Sequence, residues 1–201
     1  MINLHARNLE DVWFGVAHDG NEVFATAFTS SEERALRDLM ASLPFNATFQ
    51  QVKKPSAFAE RVITALKNVY DGKDVSERFT LVTKHLPGYT TRVLEATYSI
   101  PIGYVTSYGS LAEAVGGGAR AVGNVMARNP FAPIVPCHRV VRSDLSLGGY
   151  GGGFGSGLKV KLQLLKRESR GFASKREIPV HDGRLVVFPV EFVLKKAEKT
   201  R

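Results

Sequence analysis

The sequence predicts a mixed α/β (α+β) fold, with a small N-terminal α/β domain over residues 1–80 and a helix-turn-helix domain over residues 88–171. Three observations predict it: a hairpin signal near the start, two helices separated by three glycines in the second half, and a change of net charge between the halves. The 201 residues, 44% hydrophobic and 23% charged, suffice for one large or two small globular domains. Residues 172–201 form a C-terminal extension of unknown role.

The first 80 residues predict a hairpin followed by two helices. The segment VWFGVAHDGNEVFATAFT (12–29) places two β-rich runs around Asp19-Gly20, a strong turn signal. SSEERALRDLMASL (30–43) opens with Ser and Glu and repeats apolar residues at helical spacing. Those expected to face the core are Leu36, Leu39, Met40 and Leu43. AFAERVITALKNVYDG (57–72) predicts a second helix whose inward positions are Val62, Leu66 and Val69, with Gly72 just beyond its end.

The segment DVSERFTLVTKHLPGY (74–89) is expected to connect the domains, and a helix should follow that stops before Pro101. VTSYGSLAEAVGGGARAVGNVMARNP (105–130) then predicts a short helix, a glycine turn and a second helix, which is the helix-turn-helix pattern. Ser110 with Glu113 has capping-box spacing, and Ser107 is the alternative cap. A two-helix hairpin without any DNA-binding role gives the same pattern.

The second of these helices presents an outer face of unusually small residues, with Arg120 at its start. The small residues are Ala119, Ala121, Gly123 and Ala127. Such a face lets a helix approach a nucleic-acid groove or another backbone closely, and close packing within the protein is the alternative explanation.

A glycine-rich segment and one more helix follow. LSLGGYGGGFGSG (145–157) is too rich in glycine for regular structure and is either disordered or shaped to lie against a ligand. LKVKLQLLKRESRG (158–171) predicts a helix with Gly171 as its C-cap. Its expected apolar face consists of Leu158, Leu162 and Leu165. IPVHDGRLVVFPVEFVL (178–194) predicts a strand pair around Asp182-Gly183, followed by a basic tail.

The charge is unevenly distributed along the chain. Residues 1–80 carry 9 basic and 11 acidic side chains, a net charge of −2, whereas residues 81–201 carry 18 and 8, a net charge of +10. A basic half joined to a slightly acidic half is typical of a protein whose one part meets a polyanion. Ordinary solvated lysines and arginines would give the same count.

Several classes of protein are disfavoured. No apolar run reaches the length of a membrane span and the first residues lack a signal-peptide layout, so a cytoplasmic protein is expected, or a nuclear one in a eukaryote. One cysteine forms no internal disulfide and builds no cysteine-rich zinc site. The five histidines are scattered. We therefore expect no metal and no cofactor.

The single cysteine, Cys137, lies in NPFAPIVPCHRVVRS (129–143) and could be a packed side chain, a metal ligand or a nucleophile. His138 follows it directly, and a nearby base is what turns a thiol into the nucleophilic thiolate. Adjacent side chains of an extended segment point to opposite faces, so His138 is expected to reach the sulfur through a water. The imidazole needs an orienting carboxylate, and Glu168 is the best candidate.

The residues around Cys137 closely resemble those of the O6-alkylguanine-DNA alkyltransferases. The resemblance is carried by PCHRV (136–140), RAVG (120–123) and NP (129–130), with TSYG (106–109) before them and GGYGGG (148–153) after them. It covers roughly residues 88–171, whereas the first 80 residues fit the family's N-terminal domain only in size and pattern. It implies a helix-turn-helix domain of winged type that repairs DNA by irreversible, single-turnover transfer of an alkyl group from O6-alkylguanine to cysteine.

The resemblance implies four catalytic residues. Cys137 matches the acceptor, His138 the base that activates it through water, and Glu168 the carboxylate that orients the histidine. Tyr108 matches the tyrosine that donates a proton toward guanine N3, which improves a poor leaving group. Glu168 is aligned by the helix pattern, because the loop after Tyr150 carries about four more residues, FGSG, than is usual in the family.

The resemblance also implies the contacts to DNA. Arg120 matches the arginine that enters the base stack where the damaged nucleotide is flipped out. The helix with Ala119, Ala121 and Gly123 would lie in the minor groove, and Arg128 would grip phosphate, because Ala127 stands where many members have arginine. The remaining matches are the hinge Asn129, the Val140 carbonyl as acceptor for the guanine amino group, Tyr150 and Gly151 in the loop over the base, and Lys161 against the active-site loop.

The expected partner is therefore duplex DNA containing O6-alkylguanine, bound by a monomer. Two other functions compete with this one. A sensor of the alkyltransferase-like type flips the base without accepting the group, but such proteins lack the cysteine. A Cys-His hydrolase would need an acyl substrate, to which nothing in the sequence points.

Overall fold

The computed structural model describes residues 1–151, 157–181 and 183–199. The N-terminal domain is a five-stranded sheet of order β4-β1-β2-β3-β5 with two helices. Strands β1, β2 and β3 form an antiparallel meander, to which β4 and β5 add in parallel at the two edges. The elements are β1 Ile2–Leu9, β2 Val12–Asp19, β3 Glu22–Thr29, α1 Glu32–Ala41, β4 Phe49–Gln51, α2 Ala57–Tyr70 and β5 Thr80–Leu81.

The predicted hairpin is confirmed as β2 and β3, which are joined by the turn residues Gly20 and Asn21, and both predicted helices form where expected. The expected inward face of α1 is wrong at Met40, which is 42% exposed. The helix instead buries Ala35 and Leu39 against the sheet, where Gly15 makes room for the Leu39 side chain. Met40 lies about 100° round the helix from Leu39 and so points away from the sheet.

The C-terminal domain surrounds a four-stranded sheet of order β7-β6-β9-β8. Strands β6 and β7 are parallel, and β9 runs antiparallel to both of its neighbours. The elements are α3 Gly88–Tyr98, β6 Tyr104–Ser107, α4 Tyr108–Val115, α5 Ala119–Ala127, a 3₁₀ turn Cys137–Arg139, β7 Val140–Val141, α6 Gly157–Arg167, β8 Arg176–Val180, β9 Gly183–Pro189 and α7 Val190–Lys199.

The predicted helix-turn-helix is confirmed as α4 and α5. Ser107, the alternative cap, is the N-cap of α4, because its hydroxyl accepts from the Ser110 amide at 2.9 Å. Gly116 and Gly117 turn the chain between the helices with φ values of +80° and +98°. A Cβ on Gly117 would lie 2.7 Å from the Tyr89 hydroxyl, so both backbone angle and space require glycine there.

The expected apolar face of α6 is wrong at Leu158, which is 50% exposed, and at Leu162, which is only partly buried. Leu165 is buried as expected, and the helix buries Val160, Lys161 and Leu164 beside it. The buried face includes a lysine, and the buried Glu168 follows the helix, so a pattern of apolar residues alone could not find this face. Gly171, expected as the C-cap, lies four residues beyond the helix end with a φ of +73°.

The two domains share one core and are joined by hydrogen bonds near the cysteine. The largest cluster of buried side chains includes Phe14 and Leu66 from the first domain and Leu111 and Cys137 from the second. On β3, Thr26 donates from its amide to the Pro130 carbonyl at 2.8 Å and from its hydroxyl to the Ala132 carbonyl at 2.9 Å. The N-terminal sheet therefore holds the segment that leads to Cys137.

The C-terminal extension belongs to the second domain's sheet. The predicted strand pair forms as β8 and β9, and Asp182 of its expected turn lies outside the described residues. Helix α7 contains the end of the segment 178–194, where it buries Val190 and Val193, and the first five residues of the expected basic tail, 195–199. None of the helices in the described ranges combines the length and apolar character that crossing a membrane requires.

Candidate active site

Cys137 begins a 3₁₀ turn rather than lying on the extended segment that the sequence suggested. Its amide donates to the Val135 carbonyl at 2.8 Å, and the Arg139 amide donates to Pro136 at 2.8 Å. The residue is 7% exposed. Burial raises the pKa of the Cys137 thiol, against the opposing effects of a hydrogen bond with Asn129 and the charge of Lys161. At neutral pH the resting side chain is a thiol, so a base must remove its proton during reaction.

Glu168 binds both residues that follow the cysteine. Its carboxylate accepts from His138 Nε2 at 2.7 Å and from the Nε and Nη2 atoms of Arg139 at 2.9 Å each. Arg139 also donates through Nη1 to the Ile100 carbonyl at 2.6 Å. Burial by itself would raise the pKa of Glu168, but Arg139 and His138 outweigh it and lower that pKa to about 2. Glu168 is therefore ionised and fixes the imidazole.

His138 is held as a neutral base. The side chain is wholly buried, and burial lowers its pKa below the ordinary value. Because the Glu168 carboxylate accepts at Nε2, the proton of the neutral ring lies on that nitrogen. The other ring nitrogen, Nδ1, is buried without a hydrogen-bond partner among the described residues. A buried unpartnered nitrogen is rare in proteins, and this one has a lone pair available to take a proton.

Lys161 is wholly buried beneath the site. Its ammonium donates to the Val140 carbonyl at 2.6 Å and to the Gly149 carbonyl at 3.2 Å. It lies 5.8 Å from the ring centre of Tyr108 and 6.0 Å from that of Tyr150. Burial lowers the pKa of Lys161 to about 8. The lysine thus joins the strand after the cysteine to the glycine-rich loop and places a positive charge where a thiolate would form.

Two tyrosines flank the cysteine as protonated phenols. Tyr108 is the first residue of α4 and directs its hydroxyl to the Gly149 carbonyl at 3.5 Å. The pKa of Tyr108 is raised by burial and by the nearby Cys137. The same two causes raise the pKa of Tyr150 well above its ordinary value. Both phenols can therefore donate a proton or a hydrogen bond at neutral pH.

Asn129 fastens the segment between the recognition helix α5 and Cys137. Its side-chain amide donates from Nδ2 to the Val135 carbonyl at 2.8 Å, and its Oδ1 accepts from the Phe131 amide at 3.0 Å. Asn129 therefore braces the turn that carries the chain from α5 into the apolar run before the cysteine.

A cavity of about 810 Å³ opens in front of Cys137. The second domain contributes α5, the Tyr108 ring and the loop 148–151, while α1 and β3 of the first domain form the far wall. A Cβ added at Gly123 of α5 would meet nothing within 4 Å, so the helix surface is open there. The residues from the first domain are Thr26, Ala27, Phe28, Arg34, Asp38, Ala41 and Ser42.

The structure separates the residues expected at the site into three groups. Those that line the cavity are Tyr108, Gly123, Ala127, Arg128, Asn129, Cys137, Tyr150 and Gly151. Those buried behind it are His138, Val140, Lys161 and Glu168. Those on the first turn of α5, away from the cavity lining, are Ala119, Arg120 and Ala121. Three of the four residues FGSG, 154–156, lie outside the described part of the chain.

Sequence reasoning missed three contributors. Arg139 supplies two of the hydrogen bonds to Glu168, Arg142 lines the cavity, and Thr26 of the first domain holds the segment before the cysteine. Arg139 lies inside PCHRV, so its position directly after His138 could have indicated that it also contacts the orienting carboxylate. Nothing local marks Thr26, which lies 106 positions from its partner Ala132. The described ranges contain no cluster of three or more His, Cys, Asp and Glu side chains able to hold a metal ion.

Fold and site together define a two-domain helix-turn-helix protein with a buried cysteine that lines the same cavity as the second helix of the motif. A family model described as "6-O-methylguanine DNA methyltransferase, DNA binding domain" matches residues 88–170. The crystal structure of O6-methylguanine-DNA methyltransferase from Pyrococcus kodakaraensis is 30% identical with a TM-score of 0.60, covering 85% of this chain and all of that one. The chain belongs to the O6-methylguanine-DNA methyltransferase family.

One further sequence relative and one further solved structure agree with this family assignment. The methylated-DNA–protein-cysteine methyltransferase of Methanothermobacter thermautotrophicus is 36% identical over 117 residues, 57% of this chain and 63% of that protein. Mycobacterium tuberculosis OGT in complex with DNA gives a TM-score of 0.62 at 25% identity, covering 83% of this chain and 92% of that one. The alignments with three such curated relatives span 44–63% of those proteins' lengths.

Proposed function

We propose that this protein repairs DNA by irreversible transfer of an alkyl group from O6 of guanine to the Cys137 sulfur. One observation carries the proposal: the buried Cys137 is followed in the chain by a buried, neutral histidine that Glu168 fixes through one nitrogen and whose other nitrogen has no partner among the described residues. This is the arrangement of an activated nucleophile, and it faces a cavity bordered by the recognition helix. The names of the relatives, and the DNA bound to one of them, support the same substrate class.

The proposed reaction moves one proton and breaks one bond. His138 takes the Cys137 proton at Nδ1 through a water, and Glu168 stabilises the resulting imidazolium. The sulfur attacks the alkyl carbon in line, so an S–C bond forms as the C–O6 bond breaks and its electron pair stays with guanine. Tyr108 donates a proton toward guanine N3. The imidazolium of His138 then returns a proton to Tyr108 through solvent. The net reaction leaves neutral guanine and a thioether, without any cofactor.

DNA would be held by the recognition helix. Its first turn, Ala119 to Ala121, and Gly123 would lie in the minor groove, with Arg128 on a phosphate and Arg120 in the base stack. The flipped base would enter the cavity beneath Tyr150 and Gly151 and donate from its amino group to Val140. The Val140 carbonyl already accepts from Lys161 and has a second lone pair for this contact. Asn129 would act as the hinge between helix and cysteine.

Residues 88–171 would thus form the DNA-binding and acceptor domain, supported by the N-terminal domain of residues 1–80, in a protein that acts as a monomer in the cytoplasm. The experiment that tests this function is incubation with duplex DNA carrying O6-methylguanine, followed by intact-protein mass. We expect a gain of one methyl group and never more than one, because a thioether has no good leaving group. No gain would indicate a sensor, turnover on an ester would indicate a hydrolase, and repair of several lesions by one chain would contradict the irreversible step.

Arg120→Ala separates base flipping from chemistry. Flipping unstacks a base at a cost of a few kcal/mol, which a free base does not incur. We expect Arg120→Ala to slow repair of duplex DNA at least about tenfold while leaving the reaction with free O6-benzylguanine within about twofold. The mass of the intact protein, followed over time, gives the rate of alkylation by each of the two substrates. An exposed arginine on the first domain, Arg37, provides the matched control as Arg37→Ala. Equal slowing on both substrates would rule out this role for Arg120.

Tyr108→Phe is expected to give the complementary pattern. It removes the proton donor and keeps the ring that Lys161 approaches, so the packing of the site is retained. Loss of general-acid assistance should slow both substrates together, by roughly 10²-fold. The rates of alkylation by duplex DNA and by free O6-benzylguanine, measured in parallel with those of Arg120→Ala, check this expectation. A Tyr108→Phe protein that slows only on duplex DNA would mean that the hydroxyl serves DNA binding instead.

A further inference from the structure

The C-terminal helix α7 packs beneath the loop that leads from β7 to Tyr150. It buries Val190 and Val193 in a small cluster with Val105, Val141 and Leu165. This cluster is separate from the main core. Its members from α7, Val190 and Val193, lie beyond the segment of residues 88–170 that the family model matches.

The loop over residues 142–149 is attached to α7 by both apolar and ionic contacts. Leu145 and Leu147 pack against the same cluster as Leu194 of α7. Lys196 of α7 donates to the Asp144 carbonyl and pairs with its carboxylate at 2.8 Å. Asp144 in turn accepts from the Ser146 amide at 3.0 Å and hydroxyl at 2.7 Å, which closes a tight turn. One lysine thus holds the residue that shapes the turn.

The backbone of this loop needs such support. Leu145 has a φ of +62°, in the left-handed region that disfavours residues with a branched or bulky side chain. Backbone of this kind persists where the surroundings hold it. Here the Leu145 amide donates to the Arg142 carbonyl at 2.9 Å, and the Arg142 amide donates to the Ser146 carbonyl at 3.0 Å. The Leu145 side chain packs against the cluster that includes Val190 and Val193 of α7.

The far end of the same loop forms the substrate cavity. Gly148, Gly149 and Tyr150 line it, and the Gly149 carbonyl accepts from Lys161. These positions follow Leu147 by one to three residues and Leu145 by three to five. A shift of the turn at Asp144 would therefore move Gly149 and Tyr150 relative to Cys137.

We propose that α7 is a positioning element for the substrate loop, acting through Lys196 on Asp144 and through the cluster of Val190 and Val193 against which Leu145 and Leu147 pack. The proposal rests on the proposed function and assigns a role to the C-terminal extension. α7 sets the affinity of the cavity for the base and leaves the chemistry at Cys137 unchanged, because Glu168, His138 and Arg139 bind one another without it.

The test compares Lys196→Glu, which would repel Asp144, with Lys196→Arg, which keeps the pair. Lys195→Glu is the matched control, because Lys195 is exposed at the preceding position and the change in net charge is the same. The probe is free O6-benzylguanine, with the rate of alkylation followed by intact mass. We expect Lys196→Glu to raise the half-saturating concentration about fivefold at an unchanged limiting rate, and Lys196→Arg to behave as the wild type.

Hydrogen exchange of the amides of residues 142–149 gives a second readout that needs no activity. We expect faster exchange in Lys196→Glu than in Lys195→Glu. Equal exchange in these two variants, or a lower limiting rate with unchanged half-saturation, would overturn the proposal. If the wild type accepts no alkyl group at all, the proposed function fails, while the exchange comparison still decides whether α7 orders the loop.

Discussion

Cys137→Ser is expected to accept no alkyl group from O6-methylguanine DNA while binding that DNA as tightly as the wild type. The hydroxyl fits where the thiol is packed, so the segment braced by Asn129 and Thr26 keeps its shape. An alcohol has a much higher pKa than a thiol, and the neutral His138 is too weak a base to ionise it. The loss of transfer should therefore be complete on the time scale at which wild type reacts fully.

Two measurements check this result. Intact mass reports transfer, and fluorescence anisotropy with a labelled duplex reports affinity. The relevant control is Cys137→Ala, which removes the nucleophile without leaving a polar group in the pocket. Alkylation of the serine variant at any other residue would show that Cys137 is not the acceptor, and a shared loss of DNA affinity in both variants would mean that the thiol is needed for folding.

Glu168→Gln is expected to impair both reaction and stability. The amide offers one acceptor oxygen where the carboxylate receives three hydrogen bonds, so the buried Arg139 and His138 compete for it. Removing one partner of a buried ion pair typically costs about 3 kcal/mol. The rate of transfer should fall roughly 10³-fold or more, because the amide nitrogen can turn His138 to the wrong tautomer.

The pH dependence of stability gives an independent check on Glu168. Its pKa is about 2 in the folded protein, below the ordinary value of 4.5, so the unfolded chain binds the proton first as pH falls. The stabilisation is therefore complete above about pH 4.5 and is lost as pH falls toward 2. It amounts to about 3 kcal/mol. Urea unfolding from pH 7 to 3 should show a steeper loss for wild type than for Glu168→Gln.

Glu191→Gln is a suitable control for that comparison. Glu191 is also a carboxylate with a lowered pKa, held by Ser169 and nearby backbone amides at the start of α7, but it does not contact the cysteine site. It should change the acid dependence of stability without slowing transfer. Parallel pH profiles for wild type and Glu168→Gln would show that the Glu168 carboxylate does not carry the acid-sensitive stability.

Local signals predicted the elements whose causes are local. Asp19-Gly20 located the first hairpin, and Gly116 to Gly118 located the helix-turn-helix, because in each case the turn residues themselves impose the backbone path. The residues expected to orient the cysteine base were equally visible, since PCHRV is contiguous and Glu168 was the best-placed carboxylate downstream. The structure places Glu168 2.7 Å from His138, and its catalytic role remains a prediction.

The errors occurred where distant packing decides the outcome. Apolar spacing pointed to Leu158 as inward, but the buried side of α6 carries Lys161, whose ammonium donates to the Val140 carbonyl of β7 and to the Gly149 carbonyl of the glycine-rich loop. Cys137 was expected on extended chain, but the Arg139 amide donates to the Pro136 carbonyl and closes a 3₁₀ turn there. The contacts of Lys196 span 52 positions and leave no trace in any short segment.

The two hydrogen bonds from Thr26 have a consequence for how the chain can be divided. The first sheet ends in the chain with β5 at Leu81 and the next element, α3, begins at Gly88, yet β3 lies on one side of this segment and the peptide groups it holds, at Pro130 and Ala132, lie on the other. A cut in the connecting segment would separate two recognisable folds but leave the acceptor half without the strand that shapes its approach to Cys137. The segment that separates the two folds therefore does not separate the residues that position Cys137 from the rest of the chain.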